Sequence, residues 1–238
     1  MNKFMTECIG TFFWVLVLGL SVSAQYSHMA AISLGGVIMA LVYMGQAVSG
    51  AHYNPAVTLA VLIRGGIDWK NAIFYVLMQI IGALLGALLT DLLVQDDSFV
   101  YLLGKAGSAS GLQAMLVELF FTFGLVLVYL HVATGKTAIG NSYFGFAIGG
   151  MLAGAYYVGS DISGGAFNPA VGLAPNLLNA NWGTLWIYLL GPFLGGALAA
   201  LVYRIQFNLP IIRKKPQAEP SNTSLQEETR TQEERPSS

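Results

Sequence analysis

Ser49-Gly50-Ala51-His52-Tyr53-Asn54-Pro55-Ala56-Val57 and Ser163-Gly164-Gly165-Ala166-Phe167-Asn168-Pro169-Ala170-Val171 are two copies of one short stretch, and each follows a long apolar segment. Each reads as an irregular loop that turns abruptly into a helix. Asn is a good helix N-cap, and Pro is favoured at the first helical position because its missing N–H costs nothing there. In a water-soluble chain this would be ordinary capping. Here both copies lie between apolar segments of membrane length. Non-helical backbone at membrane depth is tolerated only where protein buries it or it lines a watery cavity. The pair of stretches therefore points to a pore.

Composition agrees with a membrane setting. The chain has 238 residues, 55% hydrophobic and 10% charged, whereas a water-soluble domain carries about 25% charged residues. Of the 23 charged side chains, ten follow Pro210, which leaves 13 for the first 210 residues. The net charge of −1 selects no class of partner. The basic residues are scattered apart from the triplet Arg213-Lys214-Lys215, so nucleic-acid binding has no support. No phosphate-binding glycine loop, metal-ligand cluster or nucleophile set stands out. The chain is therefore read as no enzyme, with no cofactor and no metal. Cys8, alone in an apolar run, reads as a packing residue.

Six segments approach the roughly 20 apolar residues that a bilayer crossing needs: Phe4–Ala24, Ala31–Val48, Ala72–Val94, Leu112–Val132, Phe144–Gly159 and Leu185–Phe207. The first resembles a secretory leader, but Glu7 interrupts its apolar region and the segment recurs later. Glu7-Cys8-Ile9-Gly10-Thr11-Phe12 aligns with Glu118-Leu119-Phe120-Phe121-Thr122-Phe123, 111 residues on, and Asn54 aligns with Asn168, 114 residues on. Two repeats, about 4–94 and 112–207, thus each hold a Glu-bearing span, a second span, an Asn-Pro-Ala half-helix and a third span. Three spans is an odd number, so the repeats face opposite ways across the membrane, with the functional site near the midplane where they meet. The predicted fold is an all-α membrane protein: six transmembrane helices plus two re-entrant half-helices, occupying 1–210 as one channel domain.

With both ends inside, Lys3, Arg64, Lys70, Lys136, Arg204 and the Arg213 triplet fall on the cytoplasmic side, and Lys105 stands alone opposite, beside Asp96 and Asp97. That is a positive-inside pattern, and it predicts a plasma-membrane (cell inner membrane) protein with both termini cytoplasmic. Residues 211–238, rich in Glu, Gln, Ser and Pro, read as a disordered cytoplasmic tail. The sequon at Asn222 lies in that tail and reads as a chance match. Each half-helix, Asn54–Arg64 and Asn168–Leu178, is about 16 Å long at 1.5 Å per residue, half the hydrocarbon thickness. Two half-spans entering from opposite faces meet at the centre with both N-termini there.

Each such terminus carries roughly half a positive charge, so two facing one point repel cations, hydronium included. The Asn54 and Asn168 amides are expected to cap the backbone with their oxygens and to turn their NH₂ donors toward the lumen. Donors at the narrow point hold a passing oxygen with its hydrogens directed away. That suits a neutral hydroxyl-bearing solute and breaks a proton-relaying chain. Apolar walls elsewhere keep binding weak and transit fast.

The paired boxes Asn54-Pro55-Ala56 and Asn168-Pro169-Ala170, the Glu at the start of spans one and four, and the Ser-Gly-Ala-His lead-in resemble the aquaporin family of major intrinsic proteins over residues 4–207. The resemblance implies a homotetramer with one pore per subunit, passing water or small uncharged solutes through the lipid bilayer without energy input. It implies that Glu7 and Glu118 brace the irregular loops by accepting backbone hydrogen bonds. It also implies an outer constriction, which falls on Leu34, Tyr156, Gly165 and Val171, with Tyr157 next door as the other choice for the tyrosine. Family members usually have Arg where this chain has Val171. Without it the constriction lacks a fixed positive charge and a strong donor. Val171 and Gly165 leave a wider, more apolar gap, partly refilled by the tyrosine. The solute markers conflict: Tyr188 resembles water-channel members, Leu189 resembles glycerol-channel members, and Gly172 matches neither. Glycerol-like polyols, urea and undissociated metalloid acids join water as expected solutes.

His52 reads either as a lining residue of the cytoplasmic vestibule or as a loop histidine holding carbonyls. Phe12, Phe13, Trp14, Trp182 and Trp186 are expected to be packing residues and interface anchors rather than solute contacts. Gly82 with Gly86, and Gly191 with Gly195, have the small-xxx-small spacing of close helix crossings. Two further classes remain on residues alone. A secondary active transporter also uses inverted repeats but needs ionisable groups along its path, and a structural protein would have its pore closed.

Overall fold

A computed structural model describes residues 2–23, 29–94, 109–135 and 138–209. The tail at 211–238 with its sequon, and Asp96, Asp97, Lys105, Lys136 and the Arg213 triplet, lie outside the described residues. Among the described residues are eight α-helices and no strand: α1 Asn2–Ser23, α2 Ala30–Ser49, α3 Pro55–Arg64, α4 Trp69–Leu93, α5 Gly111–Ala133, α6 Phe144–Ser163, α7 Pro169–Leu178 and α8 Leu185–Gln206. Five of them, α1, α2, α4, α5 and α8, are long and apolar enough to cross a membrane. The sixth long helix, α6, has 20 residues. It is less apolar than the others because Tyr156, Tyr157, Ser160 and Asp161 crowd its last two turns. It also runs one turn beyond the Gly159 boundary expected for it.

Caps explain several of these ends. Asp68 starts α4 earlier than Ala72 by accepting from the Asn71 backbone N–H at 3.0 Å and from the Asn71 side-chain amide. These two bonds hold the Asp68 carboxyl below its ordinary value. Ser110 and Gln113 form a reciprocal capping box at the start of α5. The half-helices α3 and α7 both begin with proline directly after an extended asparagine that accepts from the backbone two residues on.

The two repeats pack alike. α1 lies against α4, α5 lies against α8, and α2 meets α6 between the repeats. The half-helices are exchanged: α3 packs chiefly on α8, and α7 on α4. Each repeat therefore holds the other's half-helix, which places both inside the bundle. The glycine pairs allow the tight crossings. A Cβ on Gly86 would lie 2.6 Å from the Phe12 carbonyl oxygen, and one on Gly191 would lie 2.8 Å from that of Met115. Outward faces are apolar as well, with Leu77, Ile81, Leu85 and Leu88 of α4 all exposed. That pattern suits lipid rather than water.

Candidate functional site: a pore between two half-helices

The loops that lead into α3 and α7 follow one backbone plan. Gly50 and Gly164 end α2 and α6 at φ of 85° and 93°. Ala51 and Tyr53 in the first loop and Phe167 in the second hold positive φ of 51°, 50° and 46°, a conformation that costs on the order of 1–3 kcal/mol for each non-glycine residue. Such strain persists only where the surroundings over-determine it, and here two buried carboxylates supply the hold. Glu7 accepts from the Ser49 hydroxyl at 2.6 Å, from the backbone N–H groups of His52 and Tyr53 at 3.0 and 2.7 Å, and from the Gln79 amide at 2.7 Å. Glu118 accepts from the Ser163 hydroxyl at 2.7 Å and from the N–H groups of Ala166 and Phe167 at 3.0 and 2.6 Å. The Tyr75 and Tyr188 hydroxyls secure the same loops by donating to the carbonyls of Ser49 and Ser163.

The two asparagines then join the loops to each other. Asn54 accepts from Ala56 N–H at 2.8 Å, and Asn168 accepts from Ala170 N–H at 3.0 Å. Asn54 Nδ2 donates across to the Phe167 carbonyl at 2.9 Å, and Asn168 Nδ2 donates to the Tyr53 carbonyl at 2.8 Å. The N-termini of α3 and α7 therefore meet, side chain to opposite backbone. This corrects the expectation that the amide donors turn wholly to the lumen: one N–H of each amide is committed to the facing loop. An amide NH₂ has two hydrogens, so one remains on each asparagine.

Leu34, Gly165 and Val171 are buried, and Tyr156 is 6% exposed while Tyr157 is 74% exposed. Tyr156 is thus the inward-facing tyrosine. Its ring lies against Gly165, where a Cβ would come within 2.8 Å of Tyr156 Cδ2. Leu34 sits in α2 and Val171 in the first turn of α7.

On the α3 side of the asparagines lies a narrow cavity of about 10 Å³, room for about one water. His52 borders it, with Nδ1 3.1 Å from Thr58 Oγ1 and its ring edge-on to Tyr75 and Tyr129. Trp14 borders it too and is 3% exposed. Trp14 is thus a helix-facing packing residue, whereas Phe13, Trp182 and Trp186 are exposed. Trp14 follows Glu7 by seven residues, two helical turns, and so shares the inward face with Glu7, Thr11 and Leu18. That stripe was the signal available. Tyr129 and Gln79 were not among the residues singled out by sequence: Tyr129 donates to the Gly50 carbonyl of the first loop, and Gln79 donates to Glu7 of α1 and Thr58 of α3.

A family model described as Major intrinsic protein matches residues 1–203. The chain is 33% identical over 218 residues to aquaporin NIP1-2 of Arabidopsis thaliana, across 86% of this chain and 74% of that protein. It is 33% identical over 214 residues to nodulin-26 of Glycine max, across 86% of this chain and 78% of that protein. The X-ray structure of the aquaglyceroporin from Plasmodium falciparum shares the fold, with a TM-score of 0.74 at 20% identity, covering 85% of this chain and 94% of that one. With the eight helices of its described residues and its paired asparagine loops set beside these likenesses, the chain belongs to the major intrinsic protein family.

Proposed function

We propose that this protein is a passive pore for water and slender uncharged solutes, glycerol-like polyols, urea and undissociated metalloid acids among them, and that it excludes protons and ions. Membership of the family makes it an integral membrane protein and a transmembrane channel for water and small solutes, not an enzyme. The observation that carries the finer reading is the reciprocal pair of bonds from Asn54 to Phe167 and from Asn168 to Tyr53. It sets two half-helix N-termini at one point, where their partial positive charges add against any cation. The free N–H on each asparagine is the donor for a passing oxygen.

Leu34, Tyr156, Gly165 and Val171 form the outer filter in this reading, and Val171 in place of a guanidinium favours solutes larger than water. Glu7 and Glu118 brace the loops, and His52 lines the vestibule on the α3 side. The working form is a homotetramer in the plasma membrane with both termini cytoplasmic. A gradient-coupled transporter fits less well, because both buried carboxylates have their bonds committed to the loops that they hold and, for Glu7, to Gln79 of α4 as well.

The test is purified protein in liposomes, with osmotic shrinkage, glycerol and urea entry, and proton leak read in one preparation. Faster water and solute movement without faster proton leak is expected. Rates equal to those of empty liposomes would overturn the proposal, and flux that follows a proton or sodium gradient would replace it with the transporter.

A further inference from the structure

The N–H groups that Asn54 and Asn168 commit to the facing loops end on carbonyls that are held differently. Asn168 Nδ2 donates to the Tyr53 carbonyl at 2.8 Å, and the same carbonyl accepts from the Thr11 hydroxyl of α1 at 3.3 Å. Tyr53 itself is anchored at both ends. Its N–H donates to Glu7 at 2.7 Å, and its hydroxyl donates to the Leu41 carbonyl of α2 at 3.0 Å. Between them the ring fills a notch that two glycines open between α1 and α2. A Cβ on Gly10 would lie 2.1 Å from Tyr53 Cε1, and one on Gly45 would lie 1.8 Å from the hydroxyl oxygen. Any other residue type at either place would displace the ring.

The second loop lacks this anchorage. The repeat mates of Tyr53 and Gly45, 114 residues on, are Phe167 and Gly159, and those of Gly10 and Thr11, 111 residues on, are Phe121 and Thr122. Phe167 has no hydroxyl to reach a neighbouring helix. Its side chain is held by packing, with its ring 5.5 Å from that of Phe121 and its Cζ 3.1 Å from a Cβ placed on Gly159. The Thr122 hydroxyl is buried without a hydrogen-bond partner, so it does not reach the Phe167 carbonyl as Thr11 reaches that of Tyr53. The acceptor of Asn168 is thus pinned by polar bonds to α1 and α2, and the acceptor of Asn54 has no counterpart to either bond.

We infer that Tyr53 is a positioning residue of the pore: its hydroxyl bond to Leu41 fixes the Tyr53 carbonyl and, through it, the aim of Asn168. Two hydrogens share one planar amide nitrogen, so tying the first to a fixed acceptor sets the direction of the second. Tyr53 therefore governs how Asn168 presents its remaining donor to a passing oxygen, while Asn54 takes its aim from the other loop. The inference rests on the channel reading above and adds to it a side chain that acts through another residue.

Tyr53→Phe removes the hydroxyl alone and installs the residue that the other repeat already carries at the matching place. Tyr43→Phe, which removes a hydroxyl that donates to the Ser142 carbonyl at 3.0 Å on an exposed face, is the control. Two readouts are taken on the full chain: water permeability of vesicles per folded channel, and the side-chain amide NMR signals of Asn54 and Asn168 in protein carrying isotope-labelled asparagine. Losing one buried hydrogen bond from the alignment of the donor is expected to lower permeability about threefold in Y53F. The Asn168 signals are expected to shift, with the Asn54 signals and all of Y43F close to parent. A hydroxyl that merely stabilises the fold would lower the melting temperature and move neither readout. Unmoved Asn168 signals, equal shifts at the two asparagines, or parental permeability per folded channel in Y53F overturns the inference while leaving the channel intact. Parent vesicles no more permeable than empty ones sink the channel reading itself, and the amide signals then judge the anchor alone.

Discussion

Replacing Glu118 with Gln changes one oxygen to an NH₂ and is the sharpest way to test what holds the second half-helix in place. Glu118 receives three donors and sits fully buried in α5. Glutamine keeps a single acceptor, so the other backbone N–H faces another donor. Leaving one buried N–H unpaired costs about 1–3 kcal/mol, and bonds that lose their charge assistance weaken by about 1 kcal/mol each. With two such bonds remaining, the total is about 3–5 kcal/mol, which exceeds the strain of order 1–3 kcal/mol held at Phe167. The strained residue then relaxes, its carbonyl leaves Asn54 Nδ2, and the junction between the half-helices opens. Thermal unfolding in detergent and water permeability in liposomes are the two readouts. The variant is expected to melt earlier and to lose most of its water conductance. Parental values for both would refute the claim that this carboxyl holds the pore together.

Glu7→Gln is expected to act in the same direction with a smaller loss, because Gln79 adds a fourth partner whose amide reorients to meet the new group; melting temperatures of the two variants side by side check the order. Val171→Arg restores a guanidinium to the outer ring and is expected to cut glycerol flux while sparing water; equal change in both places the outer filter elsewhere. Gly86→Leu drives a side chain into the Phe12 carbonyl at the α1–α4 crossing and is expected to abolish folded, monodisperse protein on a sizing column. The Asp68 cap is present above the ordinary carboxylate range and is lost as pH falls through its lowered value. Melting temperature in Asp68→Ala is accordingly expected to depend less on acid pH than in the parent.

The half-helices were legible because their boundaries are written in local chemistry: Asn54-Pro55 and Asn168-Pro169 force a cap and a first turn whatever surrounds them. The repeat was legible because Glu7 and Glu118 are rare residues in apolar runs. The end of α6 was obscured by Tyr156, Tyr157 and Asp161, which read as the end of a span although Gly164 ends the helix four residues beyond Ser160. The outward turn of α4 at Asp68 was hidden by the apolar run that begins later. Long-range polar bonds left no local trace. Tyr129 binds a backbone carbonyl 79 residues away, and the crossing of each asparagine to the opposite loop depends on how two distant loops dock. Trp14 was within reach, since its place on the Glu7 face follows from helical period alone.

Stopped-flow light scattering of vesicles carrying the purified protein, run beside an internal pH dye, addresses the central proposition most directly. If the two half-helix N-termini border one continuous lumen, osmotic shrinkage is fast and the dye reports no added proton leak. Shrinkage no faster than in protein-free vesicles, or water flow accompanied by proton flow, would contradict it.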